Sequence, residues 1–229
     1  MKFLKLNLLL AIGLSWCLAS CTRSESVNVN QDSIYTSYRV VYEADDDKSY
    51  ARATFRFGGA GGTLLELSDP AEVLVNNDPM AWRPLLAYYE KDFAGAQVVA
   101  SFTYTDLDGN TFSNRATLAD SIAFVPGIDT VDQSAAFTLE WLGAPLGVGE
   151  IVSVTISRGL GEDETKVFST IVPGSNEIVL EQDRLAEIPG GEANIFIERR
   201  KDQELIQGTG EGGILFSRYV GPSQKVWLQ

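Results

Sequence analysis

From about residue 34 to the end of the chain, apolar and polar positions alternate with a period of two, and no stretch sustains a helical period. Tyr38, Val40 and Tyr42 fall on one side, Arg39 and Glu43 on the other. Beyond the acidic turn Asp45-Asp46-Asp47-Lys48, Ala51, Ala53, Phe55 and Phe57 alternate with Arg52, Thr54 and Arg56. The two runs predict a hairpin with one buried face. A second hairpin carries its own register. Val98, Ala100, Phe102 and Tyr104 form one face, and Phe112, Ala116 and Leu118 continue it after the turn. Placing Tyr104 opposite Phe112 leaves the three-residue loop Leu107-Asp108-Gly109, whose last position is left-handed and suits glycine.

Shorter strands are predicted at 64–67, 72–75 and 85–89, which brings the first hundred exported residues to about seven strands, the size of one sandwich. The pattern restarts after 118–121, with strands at 122–125, 137–141, 151–157, 167–172, 178–180, 195–198, 214–219 and 226–228. Pro173-Gly174, Pro189-Gly190-Gly191 and the glycines from 208 to 213 punctuate the later runs. Only 182–188 reads as a helical turn. The expected fold is all-β, with one sandwich over 34–119 and a second over 120–229, alike in architecture but without a sequence repeat.

The first 20 residues follow a different logic. Lys2 and Lys5 precede an apolar run from Leu6 to Trp16, and small residues then lead to Cys21. This is the layout of a secretory signal peptide. The run falls short of the roughly 20 apolar residues that a membrane-spanning helix needs. Residues 22–32 are polar and aperiodic, so 21–33 is expected to be a flexible tether. Leu18-Ala19-Ser20-Cys21 resembles the lipobox of bacterial lipoproteins. The resemblance implies that Cys21 is lipidated, carries palmitate-type acyl chains, and becomes the first residue. One acyl chain holds a protein to a bilayer only marginally, whereas two or more hold it stably.

Composition narrows the chemistry. The chain has 18 basic and 31 acidic residues, a formal charge of −13. Removing 1–20 takes away two lysines and no acid, which makes the balance more negative. Such a surface repels nucleic acid, whose recognition needs the opposite sign. Of the two cysteines, Cys17 lies in the signal segment that is removed and Cys21 is the expected lipid acceptor, so no disulfide is expected and the hydrophobic core alone must hold the fold. Histidine is absent. That removes Ser-His-Asp and Cys-His nucleophile systems and ordinary zinc sites, leaving paired carboxylates as the remaining route to hydrolysis. No such pair stands out.

Local motifs have simple structural readings beside their functional ones. Asp106-Leu107-Asp108-Gly109-Asn110 begins like a calcium loop but lacks the remaining ligands of one, and the hairpin already accounts for it. The Asp45-Asp46-Asp47 turn is read the same way. Gly58-Gly59-Ala60-Gly61-Gly62 runs into Thr63-Leu64-Leu65 rather than into the Gly-Lys-Ser/Thr of a phosphate loop, and is read as a strand connection. Trp141 shares a face with Phe137 and Leu139 and is expected in the core. Trp82, in a loop between Pro79 and Pro84, and Trp227, opposite in facing to Val226 and Leu228, are the candidate ligand contacts. Tyr88, Tyr89 and Tyr104 share both readings, platform or core.

Two further stretches carry a family resemblance. Glu72-Val73-Leu74-Val75-Asn76-Asn77 before a proline-containing loop, and Phe137-Thr138-Leu139-Glu140-Trp141 followed by Pro145-Leu146-Gly147-Val148-Gly149-Glu150, resemble tandem immunoglobulin-like units of Bacteroidota-type lipoproteins. That resemblance implies a lipid anchor in the outer membrane. Thr22-Arg23-Ser24-Glu25 holds a single acid where surface-exported relatives carry an acidic run, which favours a periplasm-facing anchor. The expected function is a non-enzymatic binding or assembly module of the cell envelope, with an envelope protein or glycan as partner and no cofactor, no metal and no catalytic residue. The alternative is a carbohydrate-binding surface lipoprotein using Trp82 and Trp227, and after it a carboxylate-only glycoside hydrolase.

The lipobox is testable by itself. Cys21→Ser is expected to abolish incorporation of labelled palmitate and to leave the protein unprocessed or released from the lipid-modified membrane fraction; a labelled Cys21→Ser protein would refute the assignment.

Overall fold

The computed structural model describes residues 23–159 and 164–229. The signal-peptide segment and Cys21 lie outside the described residues. The fold is all-β, with nineteen strands and one short α-helix among those residues. The strands of the first half are β1 (Arg23–Glu25), β2 (Ile34–Glu43), β3 (Lys48–Phe57), β4 (Thr63–Glu66), β5 (Glu72–Val75), β6 (Asp78–Pro79), β7 (Ala81–Arg83), β8 (Tyr88–Ala94), β9 (Val99–Thr105) and β10 (Thr111–Thr117). There follow β11 (Ile122–Phe124), β12 (Thr130–Val131), β13 (Phe137–Gly143), β14 (Glu150–Ser157), β15 (Thr165–Thr170) and β16 (Glu177–Leu180). Helix α1 (Gln182–Leu185) precedes β17 (Gly191–Gln203), β18 (Gly213–Val220) and β19 (Gln224–Leu228).

Alternation builds the first core. Ile34, Tyr38 and Val40 of β2, Ala51, Ala53 and Phe55 of β3 and Leu65 of β4 are buried against Val73 and Val75 of β5 and Ala100, Phe102 and Tyr104 of β9. Tyr38 stacks on Phe102 with ring centroids 5.0 Å apart, and Phe55 tilts onto Tyr104 at 4.6 Å. The second hairpin keeps the register read from the sequence, with Tyr104 paired to Phe112, and the first pairs Glu43 with Lys48 across its acidic turn. The Asp106 carboxylate accepts the N–H groups of Asp108 (2.9 Å) and Asn110 (2.8 Å), and Gly109 takes φ +81°. Asp106 is therefore spent on closing the turn. Strand β10 is a sheet edge capped by side chains: Ser113 N–H donates to Gln207 Oε1 and Thr117 N–H to Gln203 Oε1. Edges covered in this way are poor templates for stray pairing.

The second core gathers Ile122, Leu139, Trp141, Val152, Val154, Ile156, Phe168, Ile178, Leu180, Ile195 and Ile197, with Val226 and Leu228 from the last strand. It is enclosed between β11-β13-β16 and the β14, β15, β17 and β19 region of the long sheet. The long sheet runs β1-β4-β3-β2-β18-β17-β14-β15 and backs both cores. Its seam is a parallel ladder in which β18 pairs β2 over eight residues, from Gly213 with Thr36 to Val220 with Glu43. Glycines bound β18 because the backbone approach is too close for a side chain. A Cβ at Gly213 would run into the Thr36 carbonyl, and one at Gly221 into that of Ile122. Core residues separate between Ala116 and Ile122, but Leu215 of β18 returns to the first core.

Arg199 of β17 sits where the two halves meet and is fully buried. Its Nη2 donates to the Ala144 carbonyl of the β13–β14 loop. Its Nη1 lies 3.8 Å from Asp120 Oδ2, in the connection between the halves, and 3.9 Å from Glu150 Oε2 at the start of β14. Glu150 in turn accepts the Gly147 N–H at 2.9 Å.

Two local expectations change. From Arg23 onward the segment expected to be a flexible tether is docked: β1 pairs β4, Ser26 and Gln31 are buried, and Ser26 Oγ accepts the Ser68 N–H at 2.8 Å. Polar side chains there satisfy backbone groups instead of facing water, so the lack of apolar periodicity did not signal mobility. The strand expected at 85–89 begins only at Tyr88, and Pro84 to Ala87 form the tip of the β7–β8 hairpin. Ala87 holds φ +54°, a left-handed turn position.

Removing Arg199 leaves Glu150 buried without its cation. Arg199→Ala is expected to lower stability to urea by about 3–5 kcal/mol. Arg199→Met combined with Glu150→Gln should recover most of that, because the pair leaves no uncompensated charge.

Candidate functional site

The facing sheets cover one side of the long sheet, and its other side carries a layer of charged and aromatic side chains. The layer follows from register. One cross-strand row reads Asp202, Phe216, Arg39, Arg52 and Glu90 across β17, β18, β2, β3 and β8. The next row reads Arg200, Arg218, Val41, Tyr50 and Asp92. Val41 is fully buried although it points to this side; the long side chains around it cover it with their aliphatic stems.

Arg39 and Arg52 are direct cross-strand partners. Like charges in that position repel. Part of the charge is met locally: Arg52 Nε donates to Glu90 Oε2 at 2.7 Å, Arg83 Nε reaches Glu90 Oε1 at 3.2 Å, and Arg218 Nη1 donates to Glu198 Oε2 at 3.0 Å. Rings take another part. The Arg52 guanidinium lies 5.1 Å from the Tyr50 centroid and 5.0 Å from that of Tyr88, Arg39 lies 5.6 Å from Tyr88, and Arg200 lies 4.2 Å from Phe216. Among the described residues Arg39 has no carboxylate partner, and the Arg218 Nε–H is buried without an acceptor. Burial, then the charges of Arg52 and Arg218, hold Arg39 below the usual arginine range. Burial likewise pushes the Glu43 carboxyl up, opposed by Arg218 and Arg52. Arg200 Nε pairs with Asp202 Oδ1 at 2.7 Å, so among the described residues the unmet guanidinium donors of the face are those of Arg39 and the Arg218 Nε–H.

The residues expected to touch a ligand are placed differently. Trp82 on β7 is half-buried against the first core, its ring 4.9 Å from that of Tyr89 and 5.9 Å from the Arg23 guanidinium. Trp227 on β19 is 54% exposed, beside Glu192 and Thr130. Strand β7 pairs β8 and β19 pairs β17 and β12, so the two indoles do not form one platform. Trp141 is core, with Nε1 donating to the Ala144 carbonyl at 3.3 Å. Tyr104 and Tyr89 are core too. Burial raises the Tyr89 hydroxyl to about 12, against the Leu67 N–H that it accepts. Tyr88, by contrast, belongs to the exposed-face layer. Among the described residues no group of three or more potential metal ligands is assembled. Cys21 lies outside the described residues.

Sequence reasoning passed over Arg39, Arg52 and Arg218. The first hairpin alone put Arg39 opposite Arg52, and that repulsive pairing was the available signal. The place of Arg218 and Phe216 depends on the β2–β18 ladder, which no local pattern announces.

No family model and no curated protein matches the chain. Among solved structures it is similar to one described as "Structural insight into host cell surface retention of a 1.5-MDa bacterial ice-binding adhesin", at 11% identity and a TM-score of 0.27, over 87% of this chain and 66% of that one. The likeness is a distant one between β-rich proteins.

If the Arg39–Arg52 pairing is repulsive in the free protein, Arg39→Gln is expected to leave the urea midpoint unchanged or to stabilise by about 0.5 kcal/mol. A loss above about 1 kcal/mol would show that Arg39 is held for folding rather than for a partner.

Proposed function

We propose that this protein is a non-enzymatic binding module of the cell envelope, anchored to the outer membrane through lipid on Cys21 and facing the periplasm. Its body comprises two immunoglobulin-like units over 34–119 and 120–229, fused through the long sheet. Its partner is a carboxylate-bearing glycan, bound across the open face of that sheet. The observation that carries this reading is the Arg39–Arg52 juxtaposition beside Arg218, with an Arg218 donor left unmet. Guanidinium groups pair with carboxylates in a planar, two-point geometry, and the Tyr50, Tyr88 and Phe216 rings offer apolar faces to sugar rings. The non-enzymatic part is supported by the absence of histidine from the whole sequence. Trp227, exposed on β19, is an accessory contact on this reading, and Trp82 belongs to the packing beneath the hairpin tip.

The test is retention on an immobilised polyuronate compared with neutral dextran. The protein should be held by the polyuronate and released by salt, and Arg39→Gln should weaken binding at least about tenfold with the urea midpoint preserved. Equal retention on both polymers, or on neither, would overturn the glycan reading. Retention of an acidic envelope protein instead would assign the same face to a protein partner.

A further inference from the structure

The apolar tip of the β7–β8 hairpin is not accounted for by the sheet face. Leu85 is 95% exposed and Leu86 61% exposed, and with Pro84 and Arg83 they line one apolar surface depression. The loop is not a loose one. The Arg83 carbonyl accepts both the Leu86 N–H (3.1 Å) and the Ala87 N–H (2.8 Å), and Ala87 itself is buried with its positive φ. The turn therefore holds two leucines outward on a fixed base. Two adjacent leucines displayed to water forgo the favourable transfer that burial would give them, so something apolar is expected to cover them.

What covers them is indicated by where the chain enters. Arg23, the first described residue, places its guanidinium 5.9 Å from the ring of Trp82, the residue just before Arg83. Strand β1 pairs β4 along the same side of β3 that β8 occupies further on. Cys21 is two residues earlier, and covalent geometry keeps its Cα within about 7 Å of that of Arg23. The described chain thus begins beside Trp82, at the base of the hairpin that carries the leucine tip. The rim has interfacial chemistry: Arg83 is largely exposed, and the amphipathic rings of Trp82 and Tyr88 flank the turn. Other exposed apolar side chains lack this placement. Val148, 90% exposed, stands on the β13–β14 loop of the second core.

We propose that Pro84-Leu85-Leu86 is a membrane-contact element that inserts into the leaflet holding the acyl chains of Cys21. The proposal rests on the lipid-anchor reading above. It adds a second point of contact, which fixes the orientation of the body on the bilayer where a lipid alone would leave it free to swing.

The test uses the full chain, expressed in a lipid-modifying bacterium, labelled with palmitate and reconstituted into phosphatidylethanolamine–phosphatidylcholine vesicles. An environment-sensitive fluorophore is attached to Leu85→Cys or, as reference, to Val148→Cys. At position 85 a blue-shifted emission is expected, quenched by spin-labelled lipid at least about threefold more than at position 148. Adding Leu86→Asp should bring that quenching down to the reference level while palmitate stays in place. Palmitate-bearing protein quenched equally at 85 and 148 would overturn the proposal and leave the anchor standing. Wild-type protein without palmitate would overturn the anchor reading, and this proposal with it. A blue shift that needs no vesicles and grows with protein concentration would assign the tip to a second copy of the chain and overturn the bilayer assignment.

Discussion

The parallel ladder between β2 and β18 is the constraint on which the rest of the structure depends. It joins residues 176 positions apart: Thr36 N–H donates to the Gly212 carbonyl at 3.1 Å, and Thr36 Oγ1 lies 3.5 Å from the same oxygen. Two sandwiches in simple tandem would meet only through a linker. Here the ladder turns two half-sheets into one and places Leu215 in the first core while Tyr219, four residues on, packs against the second. Parallel pairing needs a long connection, and this one passes through the whole second core. The seam then creates its own problem: side chains at the boundary of two cores leave both hydrophobic interiors. Arg199 fills that position, with Asp120, Ala144 and Glu150 converging on it from three separate segments.

The same seam produces the candidate binding face. A sheet that backs two cores on one side needs its other side to be compatible with water over many strands. Charged residues at alternate positions achieve that, and the β2–β18 register brings Phe216 to Arg39 and Arg218 to Val41. Had β18 shifted by one residue, its arginine would point into a core, since register slips exchange the two faces of a strand. The crowding of guanidinium groups is therefore a consequence of the same pairing that fuses the halves, a repulsion that the proposed recognition of an acid would relieve.

The parts of this architecture that were legible in the sequence are the local ones. Alternation gave the faces of β2, β3 and β9, and the turn chemistry of Asp106 to Gly109 gave the register of a hairpin. Both rest on contacts between neighbours in the chain. Three kinds of feature escaped. The β2–β18 ladder is a long-range pairing between strands whose patterns suit many partners. Arg199 lies just past the strand predicted at 195–198; it is in phase with Ile195 and Ile197, but alternation alone does not show that Asp120, Ala144 and Glu150 await its charge. Residues 85–89 have the composition of a strand, yet Ala87 in a left-handed conformation turns the chain there. Composition misled in the opposite sense over 23–33, where Ser26, Asn30 and Gln31 cap backbone groups of a docked segment.

Strand order also bears on the orientation that the proposed anchor would give. From β1 through β4, β3, β2, β18, β17 and β14 to β15 there are seven strand steps, about 34 Å at the usual spacing. If the β1 edge and the β7–β8 tip rest on the bilayer, the free β15 edge and the second core stand furthest from it. Arg39, Arg52 and Arg218 then lie in the membrane-proximal half, on β2, β3 and β18. A chain carrying a formal charge of −13 is repelled by anionic headgroups, so a tip that enters by apolar contact suits this body better than a charged foot would. On the proposed anchoring, the arginine-bearing face would lie close to the membrane while the leucine tip makes the bilayer contact.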